Sequence, residues 1–154
     1  MQKMSLLRHK RNIVVITGTP GTGKTRLAKA FVKKGYSLID IKKLVQQKKI
    51  PRGYDKKREC WTVNPKQMTR VVLALIKDIN GSVVIEGHLS HYLPAKHVTQ
   101  CIITQCNLKT LSQRLKKRGY PKAKIDENLE SEIMEVILTE ARELGHKLKI
   151  VKTG

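Results

Sequence analysis

The chain has 154 residues, 32 Lys plus Arg against 12 Asp plus Glu, a net charge of +20 and 40% hydrophobic residues. A chain of this length buries roughly 70% of its unfolded surface as one domain, and its apolar content excludes a disordered polyelectrolyte. The charge calls for anionic partners, and an aromatic content of only 4% requires an aliphatic core.

Residues 13–16 (IVVI) are β-branched and stop near glycine, as a buried parallel strand does. A helix is predicted over 23–34, with Leu27, Ala28, Ala30 and Phe31 on its apolar face and Gly35 as its stop. Residues 36–41 (YSLIDI) read as a second strand entering a helix through Leu44 and Val45, which Pro51-Arg52-Gly53 breaks. Pro65 opens a helix to about residue 79, whose apolar positions recur at three and four. Asn80-Gly81 turns into a strand over 83–85 that ends at Glu86. Residues 98–104 form the next strand, and Leu108, Leu111 and Leu115 mark a helix ending at Arg118-Gly119. A long helix is predicted over 126–144, with Asp126, Glu127, Glu130 and Glu132 complementing its positive end. A last short strand covers 148–151. Strands alternating with helices predict an α/β fold: a five-stranded parallel sheet covered on both faces, in one domain spanning 1–154.

The apolar run 71–76 is far shorter than the roughly 20 residues of a membrane span. The basic start MQKMSLLRHKRN lacks a signal peptide's apolar stretch, so a cytoplasmic location with no membrane partner is expected. Cys60, Cys101 and Cys106 have no zinc or redox spacing and read as buried, reduced thiols.

Gly18-Thr19-Pro20-Gly21-Thr22-Gly23-Lys24-Thr25 matches G-x-x-x-x-G-K-[ST] between a predicted strand and a predicted helix, the context a phosphate-binding loop requires. Its glycines let backbone N–H groups close around phosphates, and the helix N-terminus adds partial positive charge. Lys24 would neutralise the β- and γ-phosphates of ATP, and the Thr25 hydroxyl would ligate Mg2+. Glu86, ending a strand beside the loop, suits a Walker B acid, and His88 two residues later suits a base or a water-orienting group. The basic stretch Arg114, Lys116, Lys117, Arg118, Lys122 and Lys124 crosses Gly119-Tyr120-Pro121, as a lid closing over a triphosphate would.

The charge is uneven: residues 1–35 hold nine basic side chains and no acid, and 101–125 hold seven and none. Residues 126–154 reverse the balance, with four basic and seven acidic.

GTPGTGKT, Gly53-Tyr54-Asp55 with Cys60 five residues on, Glu86-Gly87-His88, Arg114-Leu115, Arg118-Gly119-Tyr120, Lys124, Asn128 and Glu132 together resemble the adenylate kinase isoenzyme 6 family. The likeness covers about 13–145, and the basic composition suggests an archaeal member. It implies a P-loop kinase fold with an NMP-binding segment over about 38–64 and a short lid over about 117–127. Phosphoryl transfer from ATP to AMP, an ATPase activity and a part in maturation of the 30S ribosomal subunit are also implied, alongside rRNA and a small-subunit ribosomal protein. Carried over by position, the resemblance implies that Gly21, Thr22, Gly23, Lys24, Thr25 and Arg26 would bind ATP and that Arg118 would contact the nucleotide from the lid. Glu86 and His88 form the Walker B pair, with Glu86 where better-known members have Asp. The segment IKKLVQQKKIP lacks the arginine that larger adenylate kinases place on the AMP phosphate, so acceptor affinity is either weak or rests on lysines. Family members continue into a closing helix where this chain ends at Lys152-Thr153-Gly154.

The alternative is an ATP-gated assembly factor with little kinase activity, whose main ligand is rRNA or a ribosomal protein. The +20 charge favours it, being far beyond what a mononucleotide needs. No N-K-x-D or L-S-G-G-Q motif supports a GTPase or a transporter ATPase. The size suits shikimate kinase, against which the RGY and GYD matches speak.

Overall fold

In β1 (Ile13–Gly18) all six residues are buried, because both faces of the sheet are covered. Ile13 and Val15 enter one core and Val14 and Ile16 the other. The computed structural model describes residues 11–57 and 60–154. β1 is the central strand of a five-stranded sheet ordered β2-β5-β1-β6-β7, with every pairing parallel. The flanking strands are β2 (Ser37–Asp40), β5 (Val83–Glu86), β6 (Gln100–Cys106) and β7 (Leu148–Thr153).

Helix α1 (Lys24–Lys33) lays Ala28, Leu27 and Phe31 on the Val14/Ile16 face. The opposite face is covered by three helices, α2 (Ile41–Gln46), α3 (Pro65–Asp78) and α6 (Val136–Glu143), through Ile41, Leu44, Met68, Val72, Ile76, Leu138 and Ala141. Asp40 caps α2 by accepting from the Lys43 amide at 3.2 Å, and Asn64 caps α3 by accepting from Lys66 and Gln67. A third core joins α4 (Leu108–Lys117) to α5 (Lys122–Ile133) through Leu111, Leu115, Ile125 and Leu129.

Three sequence expectations are corrected. The single helix over 126–144 is two: α5 starts earlier, at Lys122, and a left-handed Glu135 (φ 50°) separates it from α6. The reason is that Ile125 and Leu129 belong to the α4 core while Leu138 and Ala141 belong to the sheet core, and the chain turns between the two. The first turn of α5 consequently holds no acid, so the carboxylates do not complement its N-terminus. The strand expected over 98–104 runs two residues later, because 95–97 form a 3-10 turn closed by Val98 N–H on the Ala95 carbonyl. Beyond the break at Pro51 stands an antiparallel ribbon, β3 (Arg52–Asp55) and β4 (Cys60–Val63), a sheet of its own. Its four-residue strands, RGYD and CWTV, are too short to carry a periodic signal.

Cys101 and Cys106 are buried free thiols, and burial pushes the Cys101 pKa up to about 12. The side chain of Cys60 and the basic segment 1–10 lie outside the described residues. Among the described residues no helix is long and apolar enough to cross a membrane.

Candidate functional site

The loop between β1 and α1 lies at the C-terminal edge of the central strand, where ligands of open α/β sheets gather. Gly23 caps α1 in the left-handed region at φ 96°, which turns the helix N-terminus into the loop. Gly18 is demanded by close approach, since a Cβ there would stand 2.3 Å from Thr104 Oγ1. The loop is braced from behind: Thr22 Oγ1 donates to the Thr19 carbonyl at 2.6 Å and meets Thr104 Oγ1 at 2.7 Å. Arg114 donates to the Gly21 carbonyl at 3.0 Å, and Thr153 Oγ1 donates to the Thr22 carbonyl at 2.6 Å.

Lys24 is 9% exposed and folds back over the loop, donating to the carbonyls of Gly18 (2.9 Å) and Thr19 (3.1 Å). Burial pushes its pKa down to about 8, with Glu86 opposing and Arg118 assisting the shift. Arg118 is exposed at the end of α4, within electrostatic reach of Lys24.

Thr25 Oγ1 donates to Glu86 Oε1 at 3.1 Å. Glu86 is buried at the end of β5, paired in register with Asp40 at the end of β2. Burial raises its pKa, and the Asp40 carboxylate adds to that, against the Thr25 bond and Lys24. A hydroxyl and a carboxylate beside the phosphate lysine fit Mg2+, which takes one or two protein oxygens and completes its shell from phosphate and water. Among the described residues no cluster of three His, Cys, Asp or Glu could hold a metal by itself. His88 reaches solvent, yet desolvation by the groups packed around it, together with Lys24, His91, Lys124 and Lys42, holds its pKa down and leaves a neutral imidazole.

From α5, Glu132 accepts from Thr19 Oγ1 at 3.2 Å and from the Cys106 amide at 2.9 Å. These bonds tie α5 to the loop, and burial raises the carboxyl's pKa against them. Beside it a cavity of about 340 Å³ opens between the ends of β6 and β7, lined by Leu108, Ile133 and Thr153 among others. It flanks the P-loop rather than containing it.

Beneath the loop, Thr17 Oγ1 meets His91 Nδ1 at 2.8 Å and the His88 carbonyl at 3.2 Å. His91 is 1% exposed, and burial together with His146 pushes its pKa down to about 4. His146 Nε2 lies 2.7 Å from the His91 carbonyl, and Ser90 donates to the Ile16 and Gly87 carbonyls. The turn after Glu86 is thus stitched to β1.

A sequence profile of the AAA domain family matches residues 14–135. The chain is 36% identical over 149 residues to the adenylate kinase isoenzyme 6 homolog of Dictyostelium discoideum, covering 96% of this chain and 83% of that one. The chain belongs to the adenylate kinase isoenzyme 6 family. A Thermococcus kodakarensis relative, provisionally named an adenylate kinase, is 37% identical over 92% of this chain and 76% of its own. The shikimate kinase of Bacteroides thetaiotaomicron superposes with a TM-score of 0.59 over 92% of this chain and 85% of that one. At 15% identity that likeness concerns the P-loop kinase fold alone.

In this family member Lys24 lies within electrostatic reach of Glu86, His88 and Arg118, and Thr25 is hydrogen-bonded to Glu86. Gly21 and Gly23 shape the loop, whereas the Thr22 side chain is fully buried and faces Thr104. Arg26 lies exposed on the first turn of α1. Sequence reasoning missed Asp40, which only the register of β2 with β5 brings beside Glu86; of the lysines it offered for the acceptor, Lys42 is the one that influences Lys24, Glu86 and His88. It gave no role to His91, and placed Glu132 at a helix start and in the family motif without a contact to the loop. Neither has a local signal, because their partners lie 74 and 113 residues away.

Proposed function

We propose that this kinase-family protein transfers the γ-phosphoryl group of Mg-ATP to AMP or another nucleoside monophosphate, and hydrolyses ATP when no acceptor is bound. The observation that carries the reading is the buried Lys24, held on the loop's own carbonyls between the Thr25–Glu86 pair and Arg118. Incoming phosphate oxygens exchange with those carbonyls for the ammonium, and their charge restores the proton that burial disfavours. Mg2+, when bound, would supply positive charge against the phosphates. Thr25 and Glu86 are the residues to hold it or its water. Arg118, from a lid over about 117–127, stabilises charge on the transferring group. His88, kept neutral, accepts a hydrogen bond from water or from the acceptor. Lys42, on the segment over about 38–64, is close enough to influence Lys24, Glu86 and His88, and takes the acceptor phosphate in place of the missing arginine. Protein groups here position and stabilise; little covalent help is needed.

ADP formation measured with and without AMP tests this directly. Acceleration by AMP is the expected result, and turnover indifferent to every monophosphate would reduce the protein to an ATPase.

A part in 30S subunit maturation, with rRNA and a small-subunit ribosomal protein as partners in the cytoplasm, is the further reading. It is supported by the resemblance and by the +20 charge, which exceeds the needs of a nucleotide.

A further inference from the structure

The β3–β4 ribbon holds the chain's single tryptophan in water. The register sets Tyr54 opposite Trp61 and Arg52 opposite Val63, so Arg52, Tyr54 and Trp61 share one face. Trp61 is 60% exposed and Tyr54 52%. Their rings meet edge to face at 5.2 Å, and the Arg52 guanidinium lies 4.4 Å over the indole. Lys56 and Lys57, which follow β3 in the chain, and Lys66, which follows β4, are exposed. Asp55 is on the other face, accepting from the Lys57 amide.

A cross-strand aromatic pair helps a two-stranded ribbon hold together. It does not account for leaving the largest side chain of a chain only 4% aromatic facing solvent. An acidic peptide would satisfy the cations and ignore the rings; an apolar partner would cover the rings and strand the cations. A duplex hides the faces of its bases. Unpaired bases on a phosphate chain use both features, since stacking tolerates any base and cations track the backbone.

We propose that the β3–β4 ribbon binds single-stranded nucleic acid, stacking unpaired bases on Trp61 and Tyr54 while Arg52 and the neighbouring lysines take the phosphates. This rests on the reading above that RNA is a partner; because the ribbon lies within the segment assigned to the acceptor, AMP is the control that separates the two ligands.

Because Trp61 is the sole tryptophan, its emission reports on the ribbon without any substitution. The full chain is titrated with an unstructured, end-labelled RNA 12-mer, following anisotropy and tryptophan emission together, at several salt concentrations. Binding should quench Trp61 in step with the anisotropy rise and weaken with salt, with a slope on the order of -3 if about four phosphates are neutralised. Trp61→Ala should lower affinity on the order of 10-fold, and Trp61→Phe, which keeps a stacking ring, by less than about threefold. RNA binding without quenching, unchanged in Trp61→Ala, would overturn the ribbon assignment and leave RNA as a partner bound elsewhere. No RNA binding at low salt would overturn both. Equal quenching by AMP, or by polyglutamate, at the same concentration would overturn the polynucleotide in favour of an acceptor site or a general anion surface.

Discussion

The P-loop and the β3–β4 ribbon are both short, cation-bearing pieces between larger elements, yet they are built in opposite ways. The loop is braced from β6, β7 and α4, and its lysine is 9% exposed. The ribbon is a separate sheet whose largest side chain is 60% exposed. Fixed donors in a desolvated site suit a reaction whose charge develops at one place. An open face of rings and flexible cations suits a ligand of variable sequence and shape. The contrast implies that equal truncations cost very different amounts in the two regions.

The largest effect is expected for Lys24→Ala, which should remove nearly all ATP turnover; a variant retaining more than about half of it would break the assignment of the loop as the catalytic region. The same lysine gives the loop a pH signature. With its pKa near 8 in the nucleotide-free protein, the charge that receives phosphate is lost as pH rises through that value. kcat/KM for ATP should therefore decline above pH about 8.

Gly18→Ala comes next. Its Cβ would meet Thr104 Oγ1 at 2.3 Å and the Thr104 carbonyl at 2.7 Å, so a loss of about 2 kcal/mol or more in urea unfolding is expected. A neutral result would show that the bracing of the loop is soft.

His91 sharpens the comparison from beneath the loop. Its pKa is depressed from 6.5 to about 4, so the folded state holds the ring neutral while the unfolded state takes up a proton. The stability it contributes is present above pH 6.5 and lost as pH falls towards 4, by on the order of 2 kcal/mol. Urea midpoints across that range should fall steeply in the wild type and less steeply in His91→Asn.

In the ribbon, Trp61→Ala should change stability by less than about 1 kcal/mol, the scale of an exposed cation–π and aromatic contact. A larger loss would mean that the ribbon, like the loop, is part of the packed frame.

The strands of the main sheet and the loop were legible because each carries a local signal. Residues 13–16 and 83–85 are unbroken β-branched or aliphatic runs, and the glycine and lysine spacing of 18–25 has few other uses. The division of α5 from α6 was not legible, since the acids of 126–135 suit one helix as well as two and only the positions of two separate cores require a turn at Glu135. The partners of Glu86 were hidden for a related reason. Asp40 lies 46 residues away in sequence and becomes a neighbour only through strand order.

Local chemistry by itself determined the α/β class, the phosphate loop with Lys24 and Thr25, and the family, since backbone conformation and short motifs are written over a few consecutive residues. Tertiary structure alone decided that Glu132 reaches Thr19, that His91 braces Thr17, that Asp40 crowds Glu86 and that Trp61 faces water. Those depend on which strands lie side by side and which surfaces are left uncovered, and burial and charge coupling follow distance in space rather than along the chain.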